Sequence, residues 1–134
     1  MKFKIHADAW EGNADHGTSA ILESDSIRKY LTLLDGKVHT QILIIPQDRS
    51  SSILIGGGNN ETYVLTFTVG SDEDFYNLVD LTKKGEQEIE LVTGGQAGLF
   101  SDKYCADFNT ILAAADYYVQ HGERNPNLHW EKQA

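Results

Sequence analysis

The side chains able to do chemistry are many in this chain but poorly clustered. Its five histidines, His6, His16, His39, His121 and His129, include no pair at a zinc-binding spacing and no His-Glu-x-x-His. His6 and Asp8 fall on one face of an alternating segment and could touch, which is the one hint of a metal site. There is no Gly-x-Ser-x-Gly elbow, so a serine hydrolase would lack its nucleophile turn. Cys105 is the single cysteine, which rules out an internal disulfide. No histidine lies close to it in sequence, and it reads as a small apolar residue buried at a helix entrance. Gly56-Gly57-Gly58-Asn59-Asn60 follows the apolar run Ile53-Leu54-Ile55, a place where a glycine loop can cradle phosphate. The Lys-Ser/Thr and the helix that a P-loop needs are missing. The glycines therefore read as a sharp turn or bulge at positive φ, which Asn59 can also adopt. We expect no catalytic residue, no metal and no cofactor.

Acidic residues carry the stronger signal. Twenty Asp and Glu stand against eleven Lys and Arg, a formal net charge of −9. A field of that sign repels nucleic acid and acidic membranes and attracts basic proteins, although it also serves solubility alone. In a strand, Glu86, Glu88 and Glu90 share one face, opposite Ile89 and Leu91, at about 6–7 Å per pair of residues. Asp72, Glu73 and Asp74 add an acidic turn. Like charges on one strand face repel, a cost recovered when a basic surface docks. The alternative is a solvated face that keeps strands from aggregating. In Gly94-Gly95-Gln96-Ala97-Gly98, Gln96 is the one side chain able to hydrogen-bond; it is an interface candidate unless the segment is only a strand-to-loop corner. Trp130, in a polar tail, either anchors that tail or offers a hot spot to a partner, and anchoring is the preferred reading. Glu131 would then stand at a binding rim.

These residues need elements to hold them. A chain of 134 residues, 40% hydrophobic and 23% charged, suits one folded domain over 1–134 and argues against disorder. Phe3, Ile5, Ala7 and Ala9 alternate with Lys2, Lys4, His6 and Asp8, which predicts a first strand with one wet face. Residues 11–17 read as a turn-rich loop. Ile27, Tyr30, Leu31 and Leu34 predict an amphipathic helix, capped by Ser24, Asp25 or Ser26 and closed by Gly36. Strands are predicted over Val38–Ile45, stopped by Pro46, and then over Ile53–Ile55, Tyr63–Val69, Phe75–Leu81 and Glu86–Val92. A last helix carries Phe108, Ile111, Leu112, Ala115, Tyr118 and Val119 as one stripe, with Asp107 as N-cap and Gly122 after its end. The order predicts an α+β domain, a single antiparallel sheet of about five to seven strands with two helices on one face. No signal peptide and no apolar run of about 18 residues is visible, so a cytoplasmic protein is expected.

The two glycine motifs are parts of an ordered set. The second leads through Leu99-Phe100 to Tyr104-Cys105-Ala106-Asp107, an alanine-rich helix, and then Leu128-His129-Trp130-Glu131. This set resembles the immunity proteins of bacterial polymorphic toxin systems, in particular the first-numbered family of them, often paired with nucleic-acid deaminase toxins. The resemblance runs from about Ile53 to Glu131, and residues 1–50 share only the general layout. It implies an immunity protein that binds and silences one basic, nucleic-acid-acting toxin as a monomer in a 1:1 complex, without catalysis and without contacting nucleic acid or membrane. It also implies that the glycine segment holding Gln96 faces the toxin. A small-ligand-binding module using the glycine turns is the main alternative. A small hydrolase using His6 or His129 is the third reading.

Overall fold

The structure, a computed structural model, describes residues 2–23, 25–70 and 74–133. It is an α+β domain built on a seven-stranded antiparallel sheet. The strands of this sheet are β1 (Phe3–Ala7), β4 (Thr18–Ile21), β5 (Gln41–Pro46), β6 (Ser51–Gly57), β7 (Tyr63–Val69), β8 (Asp74–Val79) and β11 (His129–Gln133). Their order across the sheet is β11-β8-β7-β6-β5-β1-β4. A short hairpin, β2 (Trp10–Glu11) and β3 (Ala14–Asp15), fills the expected loop. A longer hairpin, β9 (Glu88–Thr93) and β10 (Gln96–Ser101), forms a sheet of its own.

Strand periodicity explains the core. In β5, β6 and β7 alternate residues are buried: Ile42 and Ile44, Ile53 and Ile55, and Tyr63, Leu65 and Phe67. These side chains line one face, because a period of two sends neighbours to opposite sides. Helix α1 (Ile27–Leu33) and helix α2 (Phe108–His121) cover that face with Ile27, Leu31, Ile111, Ala115 and Tyr118. Aromatic edges lock the layers: Phe67 meets Tyr118 at 5.7 Å between ring centroids and Trp130 at 6.4 Å. Tyr118, buried, shares a 2.7 Å hydrogen bond with Ser51, and burial pushes its phenol up to about 12.

Helix α2 follows its sequence signals. Asp107 caps it by accepting from the Thr110 amide at 2.8 Å, and Gly122 ends it in the left-handed region at φ +70°. Helix α1 departs from them. It ends at Leu33, with Leu34 as C-cap and Gly36 beyond it, and the Ser26 side chain makes no capping bond.

Several boundaries also move. The apolar run from Val38 becomes a strand only at Gln41, with Val38 exposed and Pro46 its last residue rather than its stop. Asp8 does not share the wet face: the strand ends at Ala7, and the carboxyl group turns inward and is 3% exposed. Asp72 and Glu73, part of the expected acidic turn, lie outside the described residues; Asp74 opens β8.

Candidate functional site

The β9–β10 hairpin is the element that gathers the sequence candidates. Gly94 and Gly95, at φ +59° and +79°, make its two-residue turn. Positive φ at both positions is the primed geometry that suits a tight hairpin, and glycine reaches it without steric cost. Gln96 is therefore the first residue of a strand and not a loop corner. Across the hairpin Glu88 faces Ser101, Glu90 faces Leu99 and Leu91 faces Gly98. Leu91 is fully buried against the body, so Glu88, Glu90 and Leu99 point the other way, to solvent. Leu99 is 63% exposed. Glu86 is also exposed but precedes the strand, so the predicted stripe of three is a pair on β9 with the third on the approaching loop.

The hairpin is fixed to the body at two points, one on β9 and one at its tip, and a third bond continues its own ladder past β10. The Val92 amide donates to Asn59 Oδ1 at 3.1 Å. The Asp102 amide donates to the Gln87 carbonyl at 2.9 Å. At the tip, the Gly95 amide donates to Thr40 Oγ1 at 2.9 Å. Thr40 Oγ1 in turn donates to Asp8 Oδ2 at 2.5 Å, and Trp10 Nε1 donates to the same oxygen at 2.7 Å. Asp8 Oδ1 accepts from the amides of Thr40 at 2.7 Å and Gln41 at 3.0 Å. Asp8 is thus a structural acceptor that clamps the ends of β1 and β5 under the hairpin tip. His6 turns away to Ser19 at 2.9 Å, so the two are not a metal pair. Among the described residues, no group of three or more His, Cys, Asp or Glu is placed to hold a metal ion.

The triple glycine serves packing. A Cβ at Gly58, where φ is +106°, would fall 2.5 Å from the Leu34 backbone, and one at Gly56 would fall 2.5 Å from the Thr93 methyl. That space is filled by the protein itself, which leaves no cradle there for a ligand.

Beside the base of the hairpin lies a pocket of about 290 Å³ lined by Glu61, Asp80, Asp102, Asp107, Lys83 and Cys105. Sequence reading missed this grouping, because its acids come from separate turns between residues 61 and 107. Asp80 is held below its ordinary value by bonds from the Thr82 hydroxyl and amide. Burial pushes the Cys105 thiol up to about 11, so it stays protonated at neutral pH and donates to the Ser101 carbonyl.

The two tail candidates sit elsewhere. Trp130 is an anchor: it pairs with Leu78 across β11 and β8, packs on Phe67, and donates from Nε1 to the Asn125 carbonyl at 3.0 Å. Glu131 accepts from the Tyr104 hydroxyl and faces Lys103 at 3.5 Å, an arrangement that lowers its carboxyl, the Tyr104 bond first. Glu131 is therefore committed within the chain. Asp74 pairs with Lys132 at 3.4 Å. Glu86, Glu88 and Glu90 have no ion-pair partner among the described residues. No helix there is long and apolar enough to cross a membrane. In comparison with known proteins, the chain matches no protein-family model, and no curated protein sequence matches it.

Proposed function

We propose that this chain is an immunity protein that binds and neutralises a cognate basic toxin in the cytoplasm, a nucleic-acid-acting one such as a DNA deaminase. The observation that carries this reading is the outward face of the β9–β10 hairpin. Glu88 and Glu90 are exposed there without an ion-pair partner among the described residues, Glu86 lies alongside, and Leu99 stands among them. An apolar centre with a charged rim is the anatomy of a protein interface. Enzymes acting on nucleic acid hold phosphates in basic clefts, and deaminases need an open pocket for the extruded base. An acidic hairpin fastened to the domain by side-chain hydrogen bonds suits such a cleft, and the acidic pocket at its base extends the same field. Charge complementarity of this kind speeds encounter and excludes substrate without any bond-making step. The motif order from Ile53 to Glu131, which resembles that of immunity proteins, supports the same reading.

The test is co-expression of this chain, tagged, with the C-terminal domain encoded by the gene directly upstream. Growth rescue together with a stable 1:1 complex is the expected result. A well-folded chain that neither rescues growth nor binds that domain overturns the reading.

A further inference from the structure

The edges of the sheets differ in how well they are protected. Strand β11, one edge of the main sheet, carries Glu131 and Lys132, and strand β4, the other edge, is four residues long. Short length and charge are common ways to keep an edge from pairing with another chain. Strand β10 has neither. Its six residues, Gln96-Ala97-Gly98-Leu99-Phe100-Ser101, include no charge and no proline, and among the described residues it pairs only with β9.

The hydrogen-bond parity of the hairpin shows which groups are free. The Asp102 amide bonds the Gln87 carbonyl, two residue pairs beyond Phe100–Ile89. In an antiparallel ladder bonded and non-bonded pairs alternate. Gln96, Gly98 and Phe100 therefore bond β9, while the backbone groups of Ala97 and Leu99 point outward. Consistently, the Val92 amide on the other strand points away from β10, to Asn59. No backbone hydrogen bond from Ala97 or Leu99 to a residue outside the hairpin occurs among the described residues.

We propose that this free edge takes up an extended, basic segment of the toxin as an added strand, so that the hairpin becomes a three-stranded sheet in the complex. This rests on the immunity reading above and specifies how the partner is held. Strand addition satisfies the outward groups of Ala97 and Leu99 with main-chain bonds, and side chains in register supply specificity. The chemistry of the segment follows from charge: residues 86–101 hold three glutamates and no Lys, Arg or His. Lysine or arginine at alternate positions of the added strand would lie on the solvent face. Their aliphatic stems would rest on Leu99, and their heads would reach Glu88 and Glu90.

The experiment uses the wild-type chain and the upstream toxin domain in complex. Amide exchange is followed residue by residue in the free chain and in the complex. The Ala97 and Leu99 amides should slow about 100-fold or more on binding, because an amide that gains a main-chain bond exchanges only when the complex opens. Ala97→Pro should weaken the complex by about 100-fold with little change in melting temperature, since proline is tolerated at an edge where the N–H faces solvent. If the variant fails to fold, the exchange result decides alone. A stable complex in which both amides exchange as in the free chain overturns the added strand and leaves the immunity reading intact. Failure to form any complex overturns both. Protection of these amides in the free chain, rising with its concentration, would make the occupant a second copy and also overturn the proposal.

Discussion

Asp8→Ala should be among the most damaging substitutions outside the apolar core. The carboxyl group is 3% exposed and accepts from four donors: the Thr40 amide, the Thr40 hydroxyl, the Gln41 amide and Trp10 Nε1. Thr40 is itself fully buried, so two of the four donors lose their partner where water cannot replace it. Leaving a buried donor unsatisfied costs about 1–3 kcal/mol, and the part-buried pair on Gln41 and Trp10 costs less because water reaches it. Together these give a loss of about 3–5 kcal/mol. With an m-value of about 2 kcal/mol per molar urea for a domain of this size, the urea midpoint should fall by about 2 M. The assay is urea unfolding followed by circular dichroism, with Asp15→Ala as control. Asp15 also accepts two amide bonds, from Ala9 and Gly17, but in an exposed hairpin where water replaces them, so its loss should cost far less. If Asp8→Ala loses no more than Asp15→Ala, the clamp does not hold the sheet ends together and the reasoning fails.

Other substitutions probe the rest of the frame. Gly58→Ala should destabilise by about 2–4 kcal/mol in thermal melts, because it adds positive-φ strain to a Cβ set 2.5 Å from the Leu34 backbone. Replacing Glu86, Glu88 and Glu90 together with Gln should leave stability unchanged or raise it by up to about 1 kcal/mol. The same variant should slow association with the toxin about tenfold at low salt and flatten its salt dependence, as measured by stopped flow; unchanged kinetics would place the interface elsewhere. Acid should destabilise the fold below about pH 4. Asp48, Asp80 and Glu131 have depressed folded-state values, so their contributions are present above the unfolded values and disappear as pH falls through the folded ones. At the other limb, Tyr118 titrates at about 12 when folded and near 10 when free, so stability should be lost as pH rises across that interval. Unfolding midpoints measured across pH check both limbs.

The elements that the sequence announces most clearly are those with one buried face and one wet one. The unbroken alternation of Tyr63–Val69 marks both ends of β7, and the apolar stripe between Asp107 and Gly122 marks both ends of α2. Strands β4, β10 and β11 escaped because they sit at edges where few side chains are buried, so no period-two pattern marks them. The hairpin turn was hidden for the same reason: Gly94-Gly95 is a primed turn, but Ala97-Gly98 on its far side does not read as a strand. The position of Asp8 continues the polar face of β1 in the sequence, which hides its burial. What turns the carboxyl group inward is a set of donors at Trp10, Thr40 and Gln41, and the pairing of β1 with β5 brings the last two beside it. The acidic pocket had no local signature at all, since Glu61, Asp80, Asp102 and Asp107 meet only through turns that the fold brings together. Of the interface candidates, Glu86, Glu88, Glu90 and Gln96 do fall on one hairpin and its approach, whereas Trp130 and Glu131 are engaged within the domain.

The position of β11 bears on how the chain reaches its native state. Strands β5 to β8 follow one another in sequence and in space, so this meander can form from local contacts soon after it is made. Strand β8 then waits for its outer neighbour until the long hairpin and α2 have been added, because β11 comes from residues 129–133. Until it arrives, β8 is a bare edge carrying Phe75 and Tyr76, open to pairing with another nascent chain. Docking of β11 ends that exposure and seats Trp130 against Phe67 in the same step. Strand β11, made after every other strand of this sheet, is thus the one that seals this side of it.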